Sequence, residues 1–194
     1  DGNVRAQIFV DKSGITLTKV DNPSIEGTIF GYSPGDSLQY VMRIDNVNSK
    51  IDKLLFDGYH LDNNYSYVFT LNVVYITPDA DYSEITNCDF TNFGYEWSPV
   101  YPPTYYFYSI ISGGYAEDNN NKLGNIKIND NDFYNNPFKT VGAHEIYLTY
   151  TENSEVKRNE ITNNGDGGYP IKLRDGCTKQ YRSRSLLLFY WRSS

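Results

Sequence analysis

The sequence predicts an all-β solenoid, a stack of coils built from short strands. Three observations lead there: a composition that favours strands, the absence of helical periodicity, and an apolar–Asn pattern that recurs along the chain. The 194 residues include 19 Tyr and a single Met. They are rich in Asn and β-branched residues and poor in Ala and Leu. That mixture suits strands and turns better than helices. No window sustains apolar spacing near 3.6 residues. The length is enough for one sizeable domain with a real core.

The repeat is clearest around "IKINDNDFYNN", residues 126–136. Ile128 is followed by Asn131 at plus three, Phe133 at plus five and Asn135 at plus seven. The same offsets give Ile85, Cys88, Phe90 and Asn92, then Val156, Asn159, Ile161 and Asn163. A fourth match reads Phe56, Tyr59, Leu61 and Asn63. Successive starts are separated by 29, 43 and 28 residues. Repeats of this length mean stacked units that bury their apolar faces against one another. Positions zero and plus five then point inward. The Asn at plus three is expected at a bend, its amide pairing with the next Asn in the column.

A second inward column precedes the first. Met42 and Ile44 form it, with Val74 and Ile76, Ile146 and Leu148, and Ile171 and Leu173. Nearer the start, Ile15, Leu17 and Ile25 are expected inward in shorter coils. The 43-residue interval calls for a loop insertion at about 93–123, with one strand over Tyr105–Ile111. Such loops often shape a binding groove, or else pack their own aromatics. The solenoid is assigned to residues 1–176. Residues 177–194, "CTKQYRSRSLLLFYWRSS", break the pattern and form an atypical tail. It reads as a cap over the open end or as a truncation artefact.

A net charge of −7 argues against nucleic-acid binding. No 18-residue apolar run exists to span a membrane. The sequence starts at Asp1 without Met and reads as a piece of a longer or processed protein. Cys88 and Cys177 are expected as free thiols rather than a disulfide. The Tyr-rich, Lys-poor composition points to an extracellular or cell-surface location.

The repeat resembles a right-handed parallel β-helix, the solenoid of pectate lyases and related carbohydrate-active proteins. A narrower resemblance is to polysaccharide lyase family six, the chondroitinase B and alginate lyase group. It is carried by "HEIYLTYTENSEVKRNEITNNGDGGYPIKLRDG", residues 144–176. Glu145 matches the acidic residue that opens a strand in that family, and Arg174 its strand-terminal Arg. Tyr150 stands where the family has its catalytic Lys, and Ala143 where it has a further acidic ligand. A looser similarity is to the archaeal disaggregatase proteins, which act on a chondroitin-like cell-surface polymer.

Three candidate sites follow. If the second column points inward, its neighbours alternate outward. Arg43, Tyr75, Tyr147 and Lys172 then form one outward strip, beside Asp45, Thr77, Thr149 and Arg174. Tyr faces stack on sugar rings, and Lys or Arg hold uronate or sulfate groups. The plainer reading is a solvated sheet face with Tyr ladders. The plus-four positions His60, Asp89, Asp132 and Glu160 form an acidic column. A calcium ion, a raised pKa or splaying into water would offset its repulsion. Paired carboxylates also admit a glycoside hydrolase, although the inserted coil is expected to separate Asp89 from Asp132. Finally, His144 beside Glu145 is a candidate general base, or a structural histidine.

The expected function is an extracellular protein acting on an acidic, uronate-containing polysaccharide. As a lyase it would use Glu145, His144 and Arg174. The rivals are a glycoside hydrolase and a non-catalytic carbohydrate-binding or adhesin-like module. Calcium is the one cofactor expected.

Overall fold

The computed structural model describes residues 8–18, 28–29, 40–57, 72–91, 93, 109–114, 121–136, 144–162, 170–174, 177, 181–183 and 186–188. Their strands fall into six successive coils. The first holds β1 (Ile8–Val10), β2 (Thr16–Thr18) and β3 (Thr28–Ile29). The second holds β4 (Tyr40–Ile44), β5 (Lys50–Asp52) and β6 (Leu55–Asp57). The third holds β7 (Asn72–Ile76), β8 (Glu84–Thr86) and β9 (Asp89–Thr91). The fourth holds β10 (Ser109–Gly113), β11 (Leu123–Gly124), β12 (Lys127–Asn129) and β13 (Asp132–Tyr134). The fifth holds β14 (His144–Thr149), β15 (Thr151–Glu152), β16 (Glu155–Lys157) and β17 (Glu160–Thr162). The sixth holds β18 (Ile171–Arg174), β19 (Tyr181–Ser183) and β20 (Leu186–Leu188).

Each coil gives one strand to each of three six-stranded sheets. The first sheet runs β1-β4-β7-β10-β14-β18, the second β2-β5-β8-β12-β16-β19, and the third β3-β6-β9-β13-β17-β20. β11 and β15 add a two-stranded sheet. Neighbouring strands pair parallel throughout. The architecture is a parallel β-helix.

The inward stacks form as the repeat predicts. Ile85, Ile128 and Val156 share a register that extends to Leu17 and Ile51. Phe56, Phe90, Phe133 and Ile161 share another. The Phe56, Phe90 and Phe133 rings stack at 4.7 and 4.9 Å. That spacing is set by the distance between hydrogen-bonded strands. The second predicted column is buried too, at Met42, Ile44, Val74, Ile76, Ile146 and Leu148. Ile171 and Leu173 pack against it, half-buried in the sixth coil.

A buried amide ladder joins the second and third sheets. The Asn131 Nδ2 donates to Asn159 Oδ1 at 3.0 Å and to the Ile85 carbonyl at 3.0 Å. The Asn131 Oδ1 accepts from the Cys88 amide, and Asn159 Nδ2 donates to the Ile128 carbonyl. Each amide thereby satisfies the backbone of a neighbouring coil, where a bend interrupts the strand ladder. Cys88 takes the same place one coil earlier as a buried free thiol. Burial pushes its pKa up to about 12. Cys177 is also free.

Five expectations are corrected. The plus-three Asn is not the bend itself; positive φ falls one residue earlier, at Lys53, Asn87, Asp130 and Arg158. Phe56 holds the plus-five place, since it pairs with Phe90. Ile51 and Leu54 are therefore the zero and plus-three residues of that coil. Leu55, not His60, pairs with Asp89 in the plus-four column; His60 lies outside the described residues. Ile15 is exposed, at the outer end of a column that continues through buried Ser49 and Ser83. Its backbone carbonyl accepts from Lys50, which fixes that register.

The segment 93–123 is more than the loop insertion expected there, since it carries β10. β10 is a full rung of the first sheet, between β7 and β14. The strand was expected over Tyr105–Ile111; residues 105–108 lie outside the described set. Gly113 sits in the inward column between Ile76 and Leu148. A Cβ there would meet Leu123 Cδ2 at 3.0 Å, so the side chain from β11 fills the space that the glycine leaves. In the tail, β19 pairs with β16 and β20 with β17, adding a rung to two sheets.

Candidate functional site: the outer face of the first sheet

The predicted strip lies on one face, with an extra rung in its middle. The register runs Phe9, Arg43, Tyr75, Ser112, Tyr147, Lys172. Parallel strands about 4.8 Å apart put Tyr75 and Tyr147 about 10 Å from one another, with Ser112 between them.

The strip therefore divides into two clusters. Toward the start of the chain, the Tyr40 ring meets Phe9 edge-on at 6.0 Å and stacks on Tyr75 at 6.2 Å. The Arg43 guanidinium lies 5.6 Å from the Tyr40 ring. Its Nε donates to Asp45 Oδ1 at 2.5 Å. In the second cluster the His144 ring stacks on Tyr147 at 5.4 Å, with 12° between planes. The Lys172 ammonium lies 5.7 Å from the same Tyr147 ring. Arg174, two residues on from Lys172, is exposed and pairs in register with Thr149.

The start of each strand departs from simple alternation. Ring stacking puts His144 on the same side as Tyr147, three residues away. Between them, Glu145 and Ile146 are both buried, Glu145 at 3% exposure. Their two amides both donate to the Pro170 carbonyl, the signature of a local bulge. The equivalent pairs one and two coils earlier, Ile110–Ile111 and Val73–Val74, are also consecutive core residues. Glu145 thus takes the place of an apolar core residue. Tyr147 and Lys172 lie together on the outside; His144, stacked on Tyr147, is buried at 2% exposure, as Glu145 is at 3%.

Three buried side-chain oxygens among the described residues have no hydrogen-bond partner: Ser83, Ser112 and Thr149. Two of the three flank Tyr147. Ser112 is its register partner in the coil before, and Thr149 lies two residues along its own strand.

Asp89, Asp132 and Glu160 form a direct column on β9, β13 and β17, with no coil between them. The expected separation of Asp89 from Asp132 is thereby corrected: the extra rung enters all the sheets together. Burial, then the repulsion of Asp89 and Glu160, raises the Asp132 pKa. Among the described residues, no group of three or more His, Cys, Asp or Glu is arranged to hold a metal ion. Among the same residues, no helix is long and apolar enough to cross a membrane.

Compared with known proteins, the chain matches no family model, no curated protein and no solved structure.

Sequence reasoning misses Phe9, Tyr40 and Ser112. Strict alternation sends Tyr40 inward with Met42, and the bulge-like corner reverses that. Ser112 is hidden inside the segment that reads as a loop. The signal for it is the pair Ile111 and Gly113, which flank it at strand spacing.

Proposed function

We propose that this chain is a polysaccharide-binding β-helix whose first sheet holds an acidic glycan on its outer face. The observation that carries the reading is the Lys172 ammonium over the Tyr147 ring. A cation held over an aromatic ring pairs with a carboxylate or sulfate, and an exposed ring such as Phe9 packs against the C–H surface of a sugar. Phe9, Tyr40 and Tyr75 extend the apolar surface along the same face. The resemblances to polysaccharide lyase family six and to disaggregatase support an acidic glycan as the ligand class. Such a ligand implies an extracellular or cell-surface location.

A catalytic reading has one observation in its favour: the ring of His144, itself buried, stacks on Tyr147. A general base there would remove the proton beside a uronate carboxylate, with Arg174 neutralising the developing charge. Glu145, at 3% exposure, is buried as His144 is.

The test is incubation with uronate polymers, with and without calcium. Binding is followed by calorimetry, unsaturated product by absorbance, and hydrolysis by new reducing ends. Binding with no product is the expected result. Unsaturated product identifies a lyase, and reducing ends without it a hydrolase. The absence of binding to every acidic polymer sinks the proposal.

A further inference from the structure

The two clusters differ in what their cations have left to offer. Arg43 already has a carboxylate, with Asp45 Oδ1 at 2.5 Å, and its Nη1 reaches the Tyr40 hydroxyl at 3.4 Å. Lys172 has no carboxylate partner among the described residues; its contact there is the Tyr147 ring. At the Tyr40 end the polar neighbour is also engaged within the chain: Asn72, the register partner of Tyr40, accepts from Ser109 Oγ at 2.8 Å.

Resting on the glycan reading above, we infer that the strip is polar along its length. The acidic group of the sugar is read at Tyr147, by the Lys172 ammonium. The Phe9–Tyr40–Tyr75 end takes the uncharged face of a sugar further along the polymer. A second anion at Arg43 would instead have to compete with Asp45. An acidic unit of the polymer therefore sits toward the sixth coil.

The test compares a polyuronate with its neutral methyl ester on four proteins: wild type, Lys172→Ala, Arg43→Ala and Thr149→Val. Wild type should bind the polyuronate more tightly than the ester, with a preference that weakens as salt rises. Lys172→Ala should lose about tenfold in polyuronate affinity and little in ester affinity, as expected for one charge-assisted contact. Arg43→Ala should retain the preference for acid over ester. Thr149→Val, which removes a buried hydroxyl that solvent does not reach, should leave the preference for acid over ester in place. Equal binding of acid and ester overturns the inference and leaves glycan binding standing. So does a loss of acid preference in Arg43→Ala with none in Lys172→Ala. If wild type binds neither polymer, both the inference and the glycan reading fall.

Discussion

The outer faces of the second and first sheets rest on the same coils and treat their polar groups in opposite ways. On the second sheet one column reads Lys50, Glu84, Lys127, Glu155, with signs alternating from rung to rung. Lys127 pairs with Glu84 at 2.6 Å, and Lys157 pairs with Glu155. Asp52 accepts from Thr86 and Asn87, and Arg158 holds Asp130 through two bonds of 2.6 Å. On the first sheet the Lys172 ammonium rests on a ring, with no carboxylate partner among the described residues. A face whose polar groups satisfy one another has little left for a ligand. A face that leaves them unsatisfied is where a ligand lowers the free energy most.

The comparison assumes one scaffold beneath both faces, and the largest expected effect tests that. Phe133 is fully buried in the aromatic stack between Phe90 and Ile161. Phe133→Ala should destabilise the protein by about 3–5 kcal/mol in denaturant titration. Loss of both faces in a single transition is expected; two separate transitions would show that the coils do not share one core.

Next in size is the hydroxyl beside Tyr147. Thr149→Val removes a buried oxygen without a partner. It should stabilise the fold by up to about 1 kcal/mol. A drop in melting temperature would mean that the hydroxyl is already satisfied and that the contrast between the two faces is smaller than described.

A smaller effect comes from making the second sheet repulsive. Lys127→Glu sets three carboxylates on consecutive rungs, with the new one between Glu84 and Glu155. The expected loss is about 1 kcal/mol or less, because the pair is exposed to solvent and screened by salt. The melting temperatures of variant and wild type should converge as salt rises.

The smallest effects are in pH dependence, and their signs differ between faces. Burial works to raise the pKa of Asp52, but hydrogen bonds from Asn87 and Thr86 outweigh it and hold the value low. The bond from Arg158 holds Asp130 low as well. A lowered carboxylate contributes stability above its ordinary pKa and loses it as pH falls through the lowered folded value. Asp130→Asn should therefore cost stability at neutral pH and nothing in strong acid. On the third sheet Asp132 is shifted upward, by burial first and then by Asp89 and Glu160. Its contribution is present in acid and is lost as pH rises through the raised folded value. Asp132→Asn should stabilise at neutral pH, with the gain vanishing below the ordinary carboxylate range. Equal pH profiles for the two variants would remove the distinction.

Much of the solenoid is legible in the residues themselves. Period-two alternation around Ile128 and Phe133 depends only on the local pleat, so it shows in any window that contains the strands. The Asn131–Asn159 pairing follows from the repeat, because equivalent places in stacked coils must adjoin. The resemblance-based roles of Glu145 and Arg174 are legible only as residue types in a pattern. Burial of Glu145 is not, because a bulge at the strand start overrides alternation, and its cause lies in the Pro170 carbonyl of another coil.

What the sequence determined by itself was that the coils stack and, away from the strand starts, which residues face the core. Tertiary structure alone decided which residues of different coils meet. Loop lengths between strands vary, and nothing local records how a loop advances the register. That is why the offsets alone set Phe56 five positions from its true partner, and why β10 reads in sequence as part of a loop rather than a rung. It is also why the strip of Arg43, Tyr75, Tyr147 and Lys172 looks continuous in sequence. Only the paired strands put Ser112 in its middle, leaving the unpartnered hydroxyl where the two aromatic clusters part.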